Sequence, residues 1–180
     1  MADVKNTLND ALALVEDLIQ NIRKKLLIQP MGMHGELDVV HIRDGKEIGR
    51  WHHNNVIVDT GKAEAAGLIN GVTSGAFTYL AIGIGTTGEV HGDTALESEI
   101  SSGGGSRASA TCSRVTTTYT NDTAQWVYTW TFSSSFAVTE SGIFDAASTG
   151  IMLARKTYSA VNVVSGDQLQ ITWKVQVSAS

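Results

Sequence analysis

Gly83-Ile84-Gly85-Thr86-Thr87-Gly88 is the first run in this chain whose spacing suggests chemistry. It fits G-x-G-x-x-G and follows a predicted strand. A dinucleotide site needs a helix directly after such a run, so that backbone N–H groups and the helix dipole meet the pyrophosphate. Here Glu89-Val90-His91-Gly92-Asp93 follows, which is no helix start, and no strand–helix–strand alternation surrounds it. There is also no Gly-Lys-Ser/Thr of a P-loop. The run is read as a glycine-shaped turn.

Other candidates thin out in the same way. His52 and His53 are adjacent, so a strand points them to opposite faces. His34 with His41, or His91 with Asp93, would complete a metal site only with ligands from another copy. Glu97 and Glu99 share a face if their segment is extended, with Asp93 nearby. Paired carboxylates suit glycoside hydrolysis, but that needs a sugar cleft and a raised pKa. A solvated acidic loop is the plainer reading. No G-x-S-x-G elbow accompanies the serines. Cys112 is the one cysteine, read as a small apolar strand residue. Trp126, Tyr128, Trp130, Phe132 and Trp173 form a sugar platform or a core, and alternation favours the core. Trp51 fits no pattern and suits an exposed aromatic or an intersubunit contact. No cofactor and no metal is expected.

The composition fits this scarcity. The chain has 180 residues, 42% hydrophobic and 17% charged, with a formal net charge of −5. A core can be filled, so global disorder is excluded. The acidic balance lacks the basic footprint of a nucleic-acid binder. One cysteine allows no intrachain disulfide and no Cys-rich zinc site. No apolar run reaches membrane-spanning length, and Lys5, Asp10, Glu16 and Asp17 interrupt any secretory h-region. A soluble protein made in the cytoplasm, with no nucleic-acid or membrane partner, is the expectation.

The elements that would position these residues change character at Pro30. Residues 3–28 predict a helix, with Asp3 or Asn6 as cap, Lys24 and Lys25 near the end, and Pro30 as its stop. Leu8, Leu12, Val15, Ile19, Ile22 and Leu26 are spaced 4, 3, 4, 3 and 4, an a/d seam of about three heptads. Leu14, Leu18 and Leu27 widen it. The seam packs on the β domain or pairs with copies of itself. Two strands, 36–43 and 46–51, flank a hairpin turn at Asp44-Gly45. A short strand at 55–59 precedes a short helix at 60–70, capped by Thr60, ended by Gly71, and packing through Ala63, Ala66 and Ile69. A strand covers 77–84. Ser101–Ser106 reads as a mobile loop. A long strand covers 107–120, and Asn121-Asp122 makes a turn. Residues 124–132, 136–139 and 151–158 read as strands. Gly166-Asp167 turns into a last strand with Leu169, Ile171, Trp173, Val175 and Val177 on one face. The fold class is mainly β, a β-sandwich or jelly-roll-like domain over residues 31–180, after an N-terminal helix over 1–30.

Several segments in order carry a likeness. They are Thr60–Asn70, Phe77–Thr87, Asp93–Glu99, Thr139–Ala147, Met152–Arg155 and Ser165–Trp173. Together, over about residues 55–178, they resemble a group of tailed-bacteriophage structural proteins described as head-decoration, tail-fibre-like or virion proteins. The resemblance implies a non-enzymatic β domain that assembles as a homo-oligomer, often a trimer. The expected role is a capsid decoration (cement) protein bound to the major capsid protein on the shell exterior. Residues 1–35 would serve as anchor. The alternative is a tail- or head-fibre component, with the helix as stalk and loops 85–95 and 101–106 as adhesive tips.

Overall fold

The computed structural model describes residues 2–27 and 31–179; side chains are described for these except at 2–8, 10, 23–27 and 179. The elements are α1 (Ala2–Leu27), β1 (Met31–Arg43), β2 (Lys46–Asn54), β3 (Val56–Ile57), α2 (Asp59–Asn70), β4 (Tyr79–Gly83), β5 (Ala108–Ser109), β6 (Thr111–Val115), β7 (Thr123–Thr131), β8 (Phe136–Phe144), β9 (Met152–Val163) and β10 (Gln168–Ala179). The chain divides into two units, residues 1–32 with 178–180, and residues 33–177. The protein is mainly β, as the alternating patterns predict.

In the first unit, α1 begins at Ala2, so Asp3 and Asn6 lie inside the helix and neither precedes it as a cap. Pro30 and Gln29 lie outside the described residues, as do the side chains of Lys24 and Lys25.

The second unit is a β-sandwich. One sheet has the order β2-β1-β10-β7-β6, the other β3-β9-β8-β4-β5. The core draws on both. Leu37, Val39, Trp126, Trp130, Leu169, Ile171 and Trp173 come from the first sheet, and Leu80, Ile82, Val138, Ile143, Val161 and Val163 from the second. Each such side chain contributes about 1.5–3 kcal/mol by leaving water. The indole N–H groups find acceptors inside: Trp126 donates to Phe77 O at 2.6 Å, Trp130 to Ser106 O at 2.8 Å and Trp173 to Ser141 Oγ at 3.2 Å. These tryptophans are core, not a sugar platform. Val177 departs from the pattern and is exposed, because the pairing of β10 with β7 ends at Gln176.

The edges of the two sheets are joined by the chain. β2 passes into β3 through the single residue Asn55, and β5 into β6 through Ala110. The predicted long strand over 107–120 is therefore two strands in different sheets. Ser109 pairs with Tyr79, and two residues later Thr111 pairs with Val127. Residues 116–120 are not strand; they wrap the Asp122 carboxylate, which accepts N–H bonds from Thr117, Thr118 and Tyr119 at 2.9–3.0 Å. Those bonds outweigh the opposing effect of burial and hold the Asp122 carboxyl well below its ordinary range.

The Asp44-Gly45 turn forms as expected, both residues at positive φ (50° and 73°) between β1 and β2. α2 starts one residue early. Its N-cap is Val58, and Thr60 donates instead to Met152 O at 3.4 Å. Gly71 ends it in the left-handed conformation, φ 73°. The packed face is not Ala63, Ala66 and Ile69, which are exposed, but Gly61, Ala65 and Leu68. A Cβ at Gly61 would lie 2.5 Å from Leu153 O, so the missing side chain is what lets α2 rest on β9. Ser101–Ser106 is no loose linker either. Gly105 is buried, and a Cβ at Gly104 (φ +85°) would lie 2.1 Å from Thr131 O.

Candidate functional site

β4 ends at Gly83, and the G-x-G-x-x-G run leaves it as an irregular loop. Beneath the loop stands Glu140 of β8, 0% exposed. Its Oε1 accepts the N–H groups of Gly85 (3.0 Å) and Ser98 (2.8 Å). Its Oε2 accepts Glu97 N–H (3.0 Å) and two bonds from Arg155 of β9, Nε at 3.0 Å and Nη2 at 2.9 Å. The glycines are required by this approach. A Cβ at Gly83 would come 2.4 Å from Glu140 Oε1, and one at Gly85 2.5 Å. Gly85 N–H, a donor of the kind that would hold a phosphate, faces a carboxylate of the chain itself.

Arg155 continues the network. Its Nη1 donates to Asp93 Oδ2 (2.8 Å) and its Nη2 to Thr87 O (3.1 Å). Burial alone would lower the Arg155 guanidinium, but Asp93 and Glu140 outweigh it and raise it. Glu97 turns back to Thr87, accepting from N–H at 2.7 Å and Oγ1 at 2.9 Å, and these bonds hold its carboxyl below the ordinary value. Glu89 accepts from Lys156 and from Thr157 N–H and Oγ1. Burial would raise the Glu89 carboxyl, yet those bonds hold it down at about 2.

The remaining candidates part company. Glu97 and Glu99 do not act together: Glu99 takes a bidentate pair from Arg107 (2.9 and 2.6 Å), whose guanidinium lies 3.6 Å over the Phe144 ring. His41 is buried against Asp167 at 2.8 Å, with Arg43 bidentate on the same carboxylate. Arg43 holds the Asp167 carboxyl well below its usual range. His52 meets Asp38 at 2.9 Å, while His53 stacks on Tyr158 with ring centroids 5.6 Å apart. The two rings do take separate partners. His34 and His91 line one hollow, but Lys62 Nζ stands 3.5 Å from His91 Nδ1, which disfavours a cation there. Among the described residues, no group of three or more His, Cys, Asp or Glu is placed to hold a metal ion. Cys112 is exposed on β6, and Trp51 is half-exposed on β2.

α1 carries the other candidate surface. Leu12, Val15, Ile19 and Ile22 are 41–58% exposed, and Leu14 and Leu18 are exposed beside them. Leu8 and Leu26 lie on the same helix, their side chains outside the described residues. Its described part, from Leu12 to Ile22, is thus an exposed apolar stripe.

Glu140 and Arg155 are the residues that sequence reasoning passed over. One signal was available. Thr139-Glu140-Ser141 is a polar triplet inside a strand whose alternation would bury only one or two of them, and all three are buried. No helix among the described residues is long and apolar enough to cross a membrane. No protein family, curated protein or solved structure matches this chain.

Proposed function

We propose that this chain is a structural component of a tailed-phage virion, a capsid decoration protein that binds the shell and catalyses nothing. The observation that carries the reading is the exposed apolar stripe of α1, from Leu12 to Ile22, on a chain whose larger unit is a β-sandwich with a filled core. An apolar face of this size on a monomer marks an association surface. With Leu12, Ile19 and Leu26 at a and Leu8, Val15 and Ile22 at d, the β-branched d residues disfavour a parallel two-stranded coil. Three strands use the extra width of Leu18 as well. In this reading the helix gathers copies, and the sandwich is the rigid body laid on the shell. Its partners are its own copies and the major capsid protein.

A fibre component of the tail or head is the second reading. A 26-residue helix spans about 39 Å, long enough for a short stalk. Copies per virion relative to the major capsid protein, counted by quantitative mass spectrometry of purified particles, separate the two. A number comparable to the capsid protein is expected for decoration. A small fraction of it means a fibre, and absence from particles overturns both.

A further inference from the structure

Asn55 is the single residue between β2 and β3. Its carboxamide lies against Gly35, where a Cβ would come 1.8 Å from Asn55 Oδ1. Oδ1 and Nδ2 are both buried, and neither has a hydrogen-bond partner among the described residues. Buried polar atoms are nearly always paired, so this carboxamide calls for a partner that the fold does not supply. Asn55 and Gly35 stand in the wall of an open hollow of about 540 Å³. Its other polar lining comes from His34, Asn54, Lys62 and His91. No acidic side chain among the described residues lines it, in a chain with 18 Asp and Glu against 13 Lys and Arg. The carboxylates at its margins are engaged. Asp59 takes one bond from Lys62 Nζ at 3.1 Å. Glu36, in the smaller hollow that shares His34 and Asn54, takes Lys174 Nζ at 3.0 Å.

This lining selects a ligand. An ammonium has three donors, so Lys62 keeps others beyond its bond to Asp59. Its charge calls for an anion, as it disfavours a metal cation beside His91. Carboxamides and imidazoles both donate and accept, which suits hydroxyl groups. Asn55 alone needs an acceptor for Nδ2 and a donor for Oδ1, and an inorganic anion offers mainly acceptors. The volume lies within the range of small-ligand sites, about 300–1,000 Å³. An acidic sugar meets each demand. Its carboxylate suits Lys62, its hydroxyls suit the carboxamides and imidazoles, and its C–H faces suit Met33, Val56 and Ile57, the apolar part of the wall.

We propose that this hollow binds an acidic sugar, a uronic acid residue of a glycan, with Lys62 holding the carboxylate and Asn55 the hydroxyls. The site goes beyond the virion reading and does not rest on it. The test is NMR of the full-length chain at fixed ionic strength, with glucuronate, glucose and phosphate as probes. Glucuronate is expected to give saturating shifts of the Gly35, Asn54, Asn55 and Lys62 amides. Glucose lacks the charge and phosphate the hydroxyl pattern, so each should bind about tenfold or more weakly. Lys62→Gln and Asn55→Ala should each weaken glucuronate about tenfold. Their thermal melts should match wild type, because the Asn55 carboxamide makes no bond for the fold to lose. Lys62→Gln carries the test where Asn55→Ala does not fold. Absence of saturating shifts, wild-type affinity in the folded variants, or glucose binding as tightly as glucuronate overturns the proposal. Phosphate binding as tightly means an adventitious ion only, and overturns it too. None of these outcomes bears on copies per virion, which decide the virion reading separately.

Discussion

Arg155 donates from two nitrogens to a single oxygen of Glu140, Oε2, and leaves Oε1 to the backbone of the loop. The pair is therefore less a bridge between β8 and β9 than a clamp on a segment that neither strand contains. Breaking a buried pair by removing one partner costs about 3–5 kcal/mol. Glu140→Ala is expected to lose that much in urea denaturation and to open the Gly85, Glu97 and Ser98 amides to hydrogen exchange. Arg155→Met should cost a similar amount while those three amides keep their acceptor and stay protected. A loss below about 1 kcal/mol with unchanged exchange would show that the clamp does not hold the loop.

The glycines of the run are expected to differ in their tolerance. A methyl at Gly85 meets Glu140 and Glu97, whereas nothing lies within 4 Å of one at Gly88. Gly85→Ala should destabilise by about 1–3 kcal/mol through overpacking, and Gly88→Ala by much less. Equal effects in thermal or urea unfolding would contradict the close approach.

Acid should weaken the loop through Glu89. Its carboxyl sits at about 2 in the folded protein against an ordinary 4.5. A depressed carboxylate contributes its stability above pH 4.5 and loses it as the pH falls towards 2. Urea midpoints of wild type and Glu89→Gln should converge across that window and stay apart above it. A constant difference would mean that Lys156 and Thr157 do not favour the ionised form.

The seam of α1 should control assembly without controlling the sandwich. Ile19→Asp places a charge on the exposed apolar stripe. Sedimentation is expected to show an oligomer for wild type and a monomer for the variant, with the β-sandwich melting unchanged. A monomeric wild type would remove the oligomerisation role of Leu8, Leu12, Val15, Ile19, Ile22 and Leu26.

Much of the fold was legible because burial imposes a period. Leu169, Ile171, Trp173 and Val175 alternate on one strand, and Trp126 and Trp130 on its neighbour, so one face had to be core. The Asp44-Gly45 turn was readable from local conformational preference alone. The segment 107–120 was not. Its Thr-rich stretch has strand propensity throughout, and only the partners Tyr79 and Val127 decide that it changes sheets at Ala110. The loop clamp was illegible for the same reason. Glu140 and Arg155 are 15 positions apart, and each is 42 to 68 positions from its loop partners. No local pattern encodes a charge whose partners are that distant. Tight packing of Ser101–Ser106 hid behind a composition that usually means slack.

The corners at Asn55 and Ala110 have a mechanical consequence. Each joins an edge strand of one sheet to an edge strand of the other through one residue, and one residue reaches at most about 3.6 Å. Neither sheet can slide past the other by more than a few ångströms without first peeling a strand from its ladder. Tension applied to either sheet is therefore shared by both, and the sandwich yields as one body, by unzipping at a seam of hydrogen bonds rather than by slipping across its greasy middle.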